Sequence, residues 1–193
     1  MRIYLRRKVD VDKLSIRRFA GWYKDARKAI FNVYGTNTDL FCDLLAATSP
    51  RVAVKKNYRL AENAFKQWQE NGKFLHSAGF LPAHIPNIVR ALNREELSGP
   101  KVSRFAANLR GDMDVVTVDV WICRAYGVEH KKLTAKVYVN LEKKIIREAK
   151  QYGLAPCEYQ AVVWHIIRMA WGKKPTSFVG AMNEINQPML WEE

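Results

Sequence analysis

The sequence predicts an all-α fold, and three observations predict it. Apolar residues recur at three- and four-residue spacings along most of the chain. Glycine, asparagine and proline fall where those periodic segments stop and start. The one apolar run without helical spacing, Val115-Val116-Thr117-Val118, is too short to choose between strand and loop. The 193 residues suffice for one good core or for two small lobes.

Arg2-Ile3-Tyr4-Leu5 has the composition of a short strand. Residues 14–34 show helical spacing through Ile16, Phe19, Ala20, Tyr23 and Ile30. Asn37 and Thr38 cap a short apolar helix over 39–48, with Leu40, Leu44 and Leu45 on one face. Ser49-Pro50 reads as a cap and first-turn proline opening a long helix to about residue 70, ended by Asn71-Gly72. Residues 75–78 form a further short helix closed by Gly79. Pro86 opens one that runs to residue 92 or 93, and 95–101 make a tight turn. Pro100 starts a helix with Val102, Phe105, Ala106 and Leu109 at helical spacing. Asp119 heads the next, which Gly127 terminates. Residues 133–152 form a basic amphipathic helix, 156–171 a very apolar one, and the tail after Gly172 is loosely packed. The expected division is a basic N-terminal segment (1–38) packing on the core, a main domain (39–172) and a tail (173–193).

Composition narrows the function classes. With 48% hydrophobic and 26% charged residues, the chain is an ordinary globular one. No apolar run reaches the roughly 18 residues of a membrane span, and the first residues lack the apolar stretch of a secretory signal. A cytoplasmic monomer is expected. Cys42, Cys123 and Cys157 fit neither a zinc ribbon nor a disulfide framework. His76, His84, His130 and His165 have no metal-ligand spacing, so neither metal nor cofactor is expected. The net charge is +13, with ten basic residues against three acids in the first 28 positions. Such a surplus attracts polyanions, because each neutralised phosphate releases counterions. Nucleic acid is the expected partner. Lys131, Lys132, Lys136, Lys143 and Lys144 form either a DNA-facing ridge or a solvated face.

The chemistry lies between residues 97 and 124. A glycine turn runs straight into a helix whose first amides are unpaired, a start that suits phosphate. Lys101 falls in that first turn, where the helix dipole and Arg104 disfavour the ammonium form. A neutral amine is what an imine-forming nucleophile needs. The helix then leads away, and the run 115–118 returns the chain to Asp119, at the start of another helix. An amine beside a carboxylate suits attack at an acetal-like carbon. The carboxylate stabilises the cationic sugar and the amine traps it.

The segment Leu97-Ser98-Gly99-Pro100-Lys101-Val102-Ser103, with Val116-Thr117-Val118-Asp119-Val120-Trp121, resembles the helix-hairpin-helix and Gly/Pro-Asp signature of the endonuclease III and 8-oxoguanine DNA glycosylase superfamily. The Lys-to-Asp spacing of 18 residues is the one found in endonuclease III-like members. The similarity reaches upstream to Leu44–Val52 and Gly79–Val89, and downstream to Tyr159-Gln160-Ala161-Val162-Val163-Trp164. It covers about residues 39–168. It implies a two-lobed helical glycosylase fold with a basic cleft that the Lys101 hairpin and Asp119 face. It also implies a base-excision repair glycosylase with abasic-site lyase activity, acting on double-stranded DNA with a damaged or modified base, an oxidised purine above all. By the same resemblance Lys101 is the nucleophile and Asp119 the essential carboxylate. Gln160 reads the flipped base and Trp164 stacks on it. Leu97, Ser98, Gly99 and Arg104 contact DNA, and Asn57 stands where the family places a wedge. The chain departs from the pattern at Leu97, which replaces the first hairpin glycine, and in lacking the cysteines of an iron–sulfur cluster. Trp121 and Arg124 are expected to pack and salt-bridge. Two alternatives stay open: a DNA-binding module without chemistry, and a transferase acting on modified bases in phage-type DNA. No glycine-rich nucleotide loop supports the donor a transferase needs.

Overall fold

The computed structural model describes residues 9–75 and 79–186. The strand expected at residues 2–5 and most of the short helix expected at 75–78, with His76, lie outside them. The described residues are helical, with no strand among them. Ten α-helices follow in order: α1 (Lys13–Phe19), α2 (Trp22–Tyr34), α3 (Thr38–Thr48), α4 (Val54–Asn71), α5 (Ile85–Leu92), α6 (Pro100–Leu109), α7 (Val120–Ala125), α8 (Ala135–Gln151), α9 (Pro156–Ala170) and α10 (Phe178–Asn186). None is long and apolar enough to cross a membrane.

The chain folds into two compact units, each assembled from separate stretches. Unit 1 comprises residues 1–24 and 107–175; unit 2 comprises 25–106 and 176–193. The expected three-part division along the chain does not describe this arrangement. The N-terminal segment is shared between the units, and the chain changes unit inside α2 and inside α6. The tail also departs from expectation. Residues 178–186 form α10, which packs on α4, with Phe178 buried edge-on against Tyr58.

Unit 2 is built around α3, whose residues 40–48 are all buried. It packs against α4 and α5, so its apolar content is not confined to the single face expected of it. Phe41 is its centre, stacked on Tyr34 at 3.6 Å between centroids and met edge-on by Tyr58 and Phe65. Burial of such rings contributes about 2–3 kcal/mol each. Asn37 makes no side-chain cap to α3. The residues before it form a tight 3₁₀ turn in which Thr38 Oγ1 donates to Gly35 O instead. Ser49 closes α3 rather than opening α4: its hydroxyl and its amide both donate to Ala46 O. Arg51 takes a positive φ of 62°, and α4 begins only at Val54. Gly72 ends α4 as expected, at φ +67° with its amide on Trp68 O.

Unit 1 is built around α9, against which α1, α7 and α8 pack. Its core joins Val116, Val118, Ile122, Tyr138, Leu141, Ile145, Val162, Val163 and Ile167. The periodic stretch 14–34 is broken at Ala20-Gly21, so α1 and α2 are separate helices. Phe19 of α1 lies face to face with the buried His165 of α9, 4.3 Å between centroids, while His165 Nδ1 sits 2.8 Å from Ala161 O.

Candidate functional site

Asp119 is positioned by the extended segment before it. Val116, Thr117 and Val118 are buried without forming a strand. Buried backbone groups need partners, and here side chains supply them. Tyr138 Oη donates to Val116 O (2.9 Å) and accepts from Val118 N (3.0 Å). Glu142 Oε1 accepts from Val116 N, and Asn108 Nδ2 donates to Val115 O and Asp112 O. Thr117 Oγ1 donates to Asn108 Oδ1 at 2.8 Å. The segment is held along its length, and it delivers Asp119 to the N-cap of α7.

There Oδ1 accepts from the amides of Trp121 and Ile122, each at 2.9 Å. Oδ2 accepts from Trp164 Nε1 at 2.8 Å. Trp164 is half-buried, and this contact ties α9 to α7 within unit 1. Arg168, one turn beyond Trp164 on α9, lies over its ring at 4.1 Å. Burial lowers the Arg168 guanidinium below its ordinary range, and the nearby Asp119 charge opposes that shift. Gln160 is buried in α9, and its Oε1 accepts from Tyr23 Oη at 2.9 Å. Burial raises the Tyr23 phenol well above the ordinary tyrosine range, keeping it a donor. Gln160 thus braces the start of α2.

Lys101 belongs to unit 2, as the second residue of α6. The turn from α5 to α6 is tied by Asn87, whose Oδ1 accepts from Ser98 N (2.8 Å) and whose Nδ2 donates to Ser98 O (3.1 Å). Ser98, expected to contact DNA, is exposed, and its amide is committed to Asn87. Leu97 is buried and anchors the turn instead of presenting itself to a ligand. Gly99 is exposed at φ +92°, a conformation that side chains rarely adopt. Arg104 is half-buried one turn on. Lys101 Nζ donates to Ser49 Oγ and lies 5.4 Å from the Phe105 ring centroid. A serine hydroxyl accepts from an ammonium group and, once rotated, donates to a neutral amine.

Asn57 stands where the resemblance places a wedge. It is buried, its Nδ2 donates to Leu45 O (3.1 Å), and its Oδ1 accepts from Thr48 Oγ1 (2.7 Å). It ties α4 to the end of α3. The exposed cations of the same helix, Lys55, Lys56 and Arg59, line a shallow groove with Ala53, Leu60 and Asn63. Lys55 also pairs with Glu184 at 2.6 Å. In unit 1, Lys132 pairs with Glu129 (2.9 Å), and Lys144 lies 4.0 Å from Glu148 and over the Tyr126 ring. Trp121 and Arg124 stack, at 4.3 Å, rather than pairing through a carboxylate.

Sequence reasoning did not single out Arg168 and Tyr138, near Asp119 in unit 1, or Ser49 and Asn87, near Lys101 in unit 2. Only Arg168 carried a signal, its four-residue spacing from Trp164 on a helix. Among the described residues no cluster of His, Cys, Asp and Glu could hold a metal ion, and all three cysteines are buried thiols.

Comparison with curated proteins and with solved structures gives no match. One family model matches residues 10–171, and the chain belongs to that family, a family of unknown function designated DUF7178.

Proposed function

We propose that this protein is a DNA glycosylase with abasic-site lyase activity, with Lys101 as nucleophile and Asp119 as the assisting carboxylate. One observation carries the reading. The two reactive groups named by the sequence signature both stand at helix starts, Lys101 behind the positive-φ Gly99 and Asp119 at the cap of α7. The α5–turn–α6 segment supports the hairpin reading, and the groove of Lys55, Lys56 and Arg59 adds a basic surface suited to phosphate.

In this mechanism a damaged or modified nucleotide leaves the duplex at a cost of a few kcal/mol. Lys101 Nζ bonds to the anomeric carbon as the glycosidic bond breaks, and the base departs with the bonding electron pair and a proton. Asp119 stabilises the positive charge that develops on the sugar. The sugar ring then opens to an imine on Lys101. Loss of a proton from the neighbouring carbon expels the 3′ phosphate and nicks the strand. Trp164, beside Asp119, offers a ring to an oxidised purine.

A second reading is a DNA-binding module without chemistry. It is favoured by the completeness of Asp119's bonding, since its three hydrogen bonds already account for the residue as a cap and an α7–α9 tie. Borohydride trapping separates the two readings, using duplexes that carry 8-oxoguanine, an oxidised pyrimidine, uracil or an abasic site. The enzyme reading expects a covalent adduct that Lys101→Gln abolishes while DNA affinity is retained. No adduct on any duplex, with binding intact, selects the binding module.

A further inference from the structure

Unit 1 carries an alternating run of indole and guanidinium groups, of which the proposed chemistry uses Trp164 alone. Arg124 lies 4.9 Å from the Trp171 ring centroid and 4.3 Å from that of Trp121. Arg168 lies 5.9 Å from Trp121 and 4.1 Å from Trp164, whose indole reaches Asp119. Three rings and two cations therefore follow one another from the end of α9 across α7. Trp171 is 52% exposed although it is a large aromatic. With Arg124 against it, much of its surface still faces solvent. Lys173 and Lys174 follow it, both exposed, and Lys173 is held to the end of α9 by its amide on Arg168 O.

The guanidinium groups cover the Trp121 and Trp164 rings, so the open aromatic surface is that of Trp171. A base stacks on its open face, and the guanidinium and ammonium groups beside it meet the phosphates.

We infer that the Trp171–Arg124–Trp121–Arg168–Trp164 run is a binding surface for unpaired DNA, holding bases by stacking. It does not depend on Lys101 being a nucleophile, and it adds a preference for single-stranded or gapped DNA to whatever else the protein binds.

The test is fluorescence anisotropy with three labelled probes of equal length: oligothymidylate, a strand of abasic tetrahydrofuran spacers, and a blunt duplex. The wild-type protein should bind oligothymidylate at least about fivefold more tightly than the abasic strand, the lower end of base–aromatic stacking. Trp171→Ala should remove most of that preference and leave duplex affinity within about twofold. Trp171→Phe should retain it. Equal affinity of the wild-type protein for oligothymidylate and the abasic strand would overturn the inference. So would a Trp171→Ala protein that is folded by circular dichroism and keeps the preference. Should Trp171→Ala not fold, the wild-type comparison of the two strands still decides.

Discussion

The two reactive groups of the proposed site are held in opposite ways. In unit 1, Asp119 is a short side chain fixed by backbone amides, at the end of a segment pinned by Tyr138, Glu142 and Asn108. In unit 2, Lys101 reaches out on a long aliphatic stem to a serine hydroxyl and lies against a phenyl ring. A carboxylate that stabilises charge must be preorganised, because reorientation during reaction costs what it contributes. An amine that attacks must travel, and a hydroxyl contact is inexpensive to leave. The difference in restraint matches the difference between the two proposed tasks.

The largest expected effect separates those tasks directly. Lys101→Gln should reduce borohydride adducts to background on every duplex. Asp119→Asn should lower trapping on base-containing duplexes by about a hundredfold or more, the scale of losing an electrostatic stabiliser. The same substitution should affect a preformed abasic site far less, since no base has to depart there. Equal losses on both substrates would break the comparison.

Stability tests the restraint itself. Tyr138→Phe strips a buried carbonyl and a buried amide of their partner. Denaturant unfolding should show a loss of about 2–4 kcal/mol. Ser49→Ala should cost under about 1 kcal/mol, because Lys101 is only half-buried and can turn to water, and Ala46 O keeps the Ser49 amide. If the two costs were alike, Lys101 would be as firmly held as Asp119. Between these two, Asp119→Ala should cost about 1–2 kcal/mol by loss of the α7 cap, and Asp119→Asn less, since asparagine still accepts from the amides.

The mildest effect is alkaline. Burial pushes the Cys123 thiol up to about 11 and the Cys157 thiol up to about 12, from an ordinary 9.0. Above pH 9 the folded state keeps protons that the unfolded state releases, so stability falls with rising pH. This contribution is complete below pH 9 and is lost through about 11 and 12. The buried Tyr23 and Tyr159 and the half-buried Tyr34 and Tyr126, all raised chiefly by desolvation, extend the same trend. Thermal melts should drop by several degrees over this range, and Cys123→Ala should flatten the part between pH 9 and 11.

Much of the fold was legible because helix ends are local events. Gly72, Pro100, Asp119, Gly127 and Pro156 each act within a turn of their own position, and each stands where the sequence reading puts a boundary. The errors arose where a local signal met a tertiary demand. Ser49-Pro50 has the form of a helix start, yet the chain needs a turn there before α4, and Ser49 serves α3 instead. Gly21 sits inside a continuous apolar period, yet the helix breaks beside it. Asn57 reads as a surface polar residue at a turn, but its amide completes the bonding at the end of α3, so it is buried.

The sequence by itself determined the helical class, the turn that places Lys101 at the start of α6, and the cap that Asp119 makes on α7. All of these depend on neighbours three or four residues away, which the sequence lists in order. The tertiary structure alone decided which groups those residues meet. Trp164 comes to Asp119 from 45 residues away, and Ser49 comes to Lys101 from 52. Tyr138 comes to Val118 from 20. Such partners are chosen by the packing of one helix on another, where side chains far apart in the chain compete for the same buried polar atoms. The aromatic–cation run is of the same kind: its members come from α7 and from α9 and its end, and only the packing of those two helices sets them in a row.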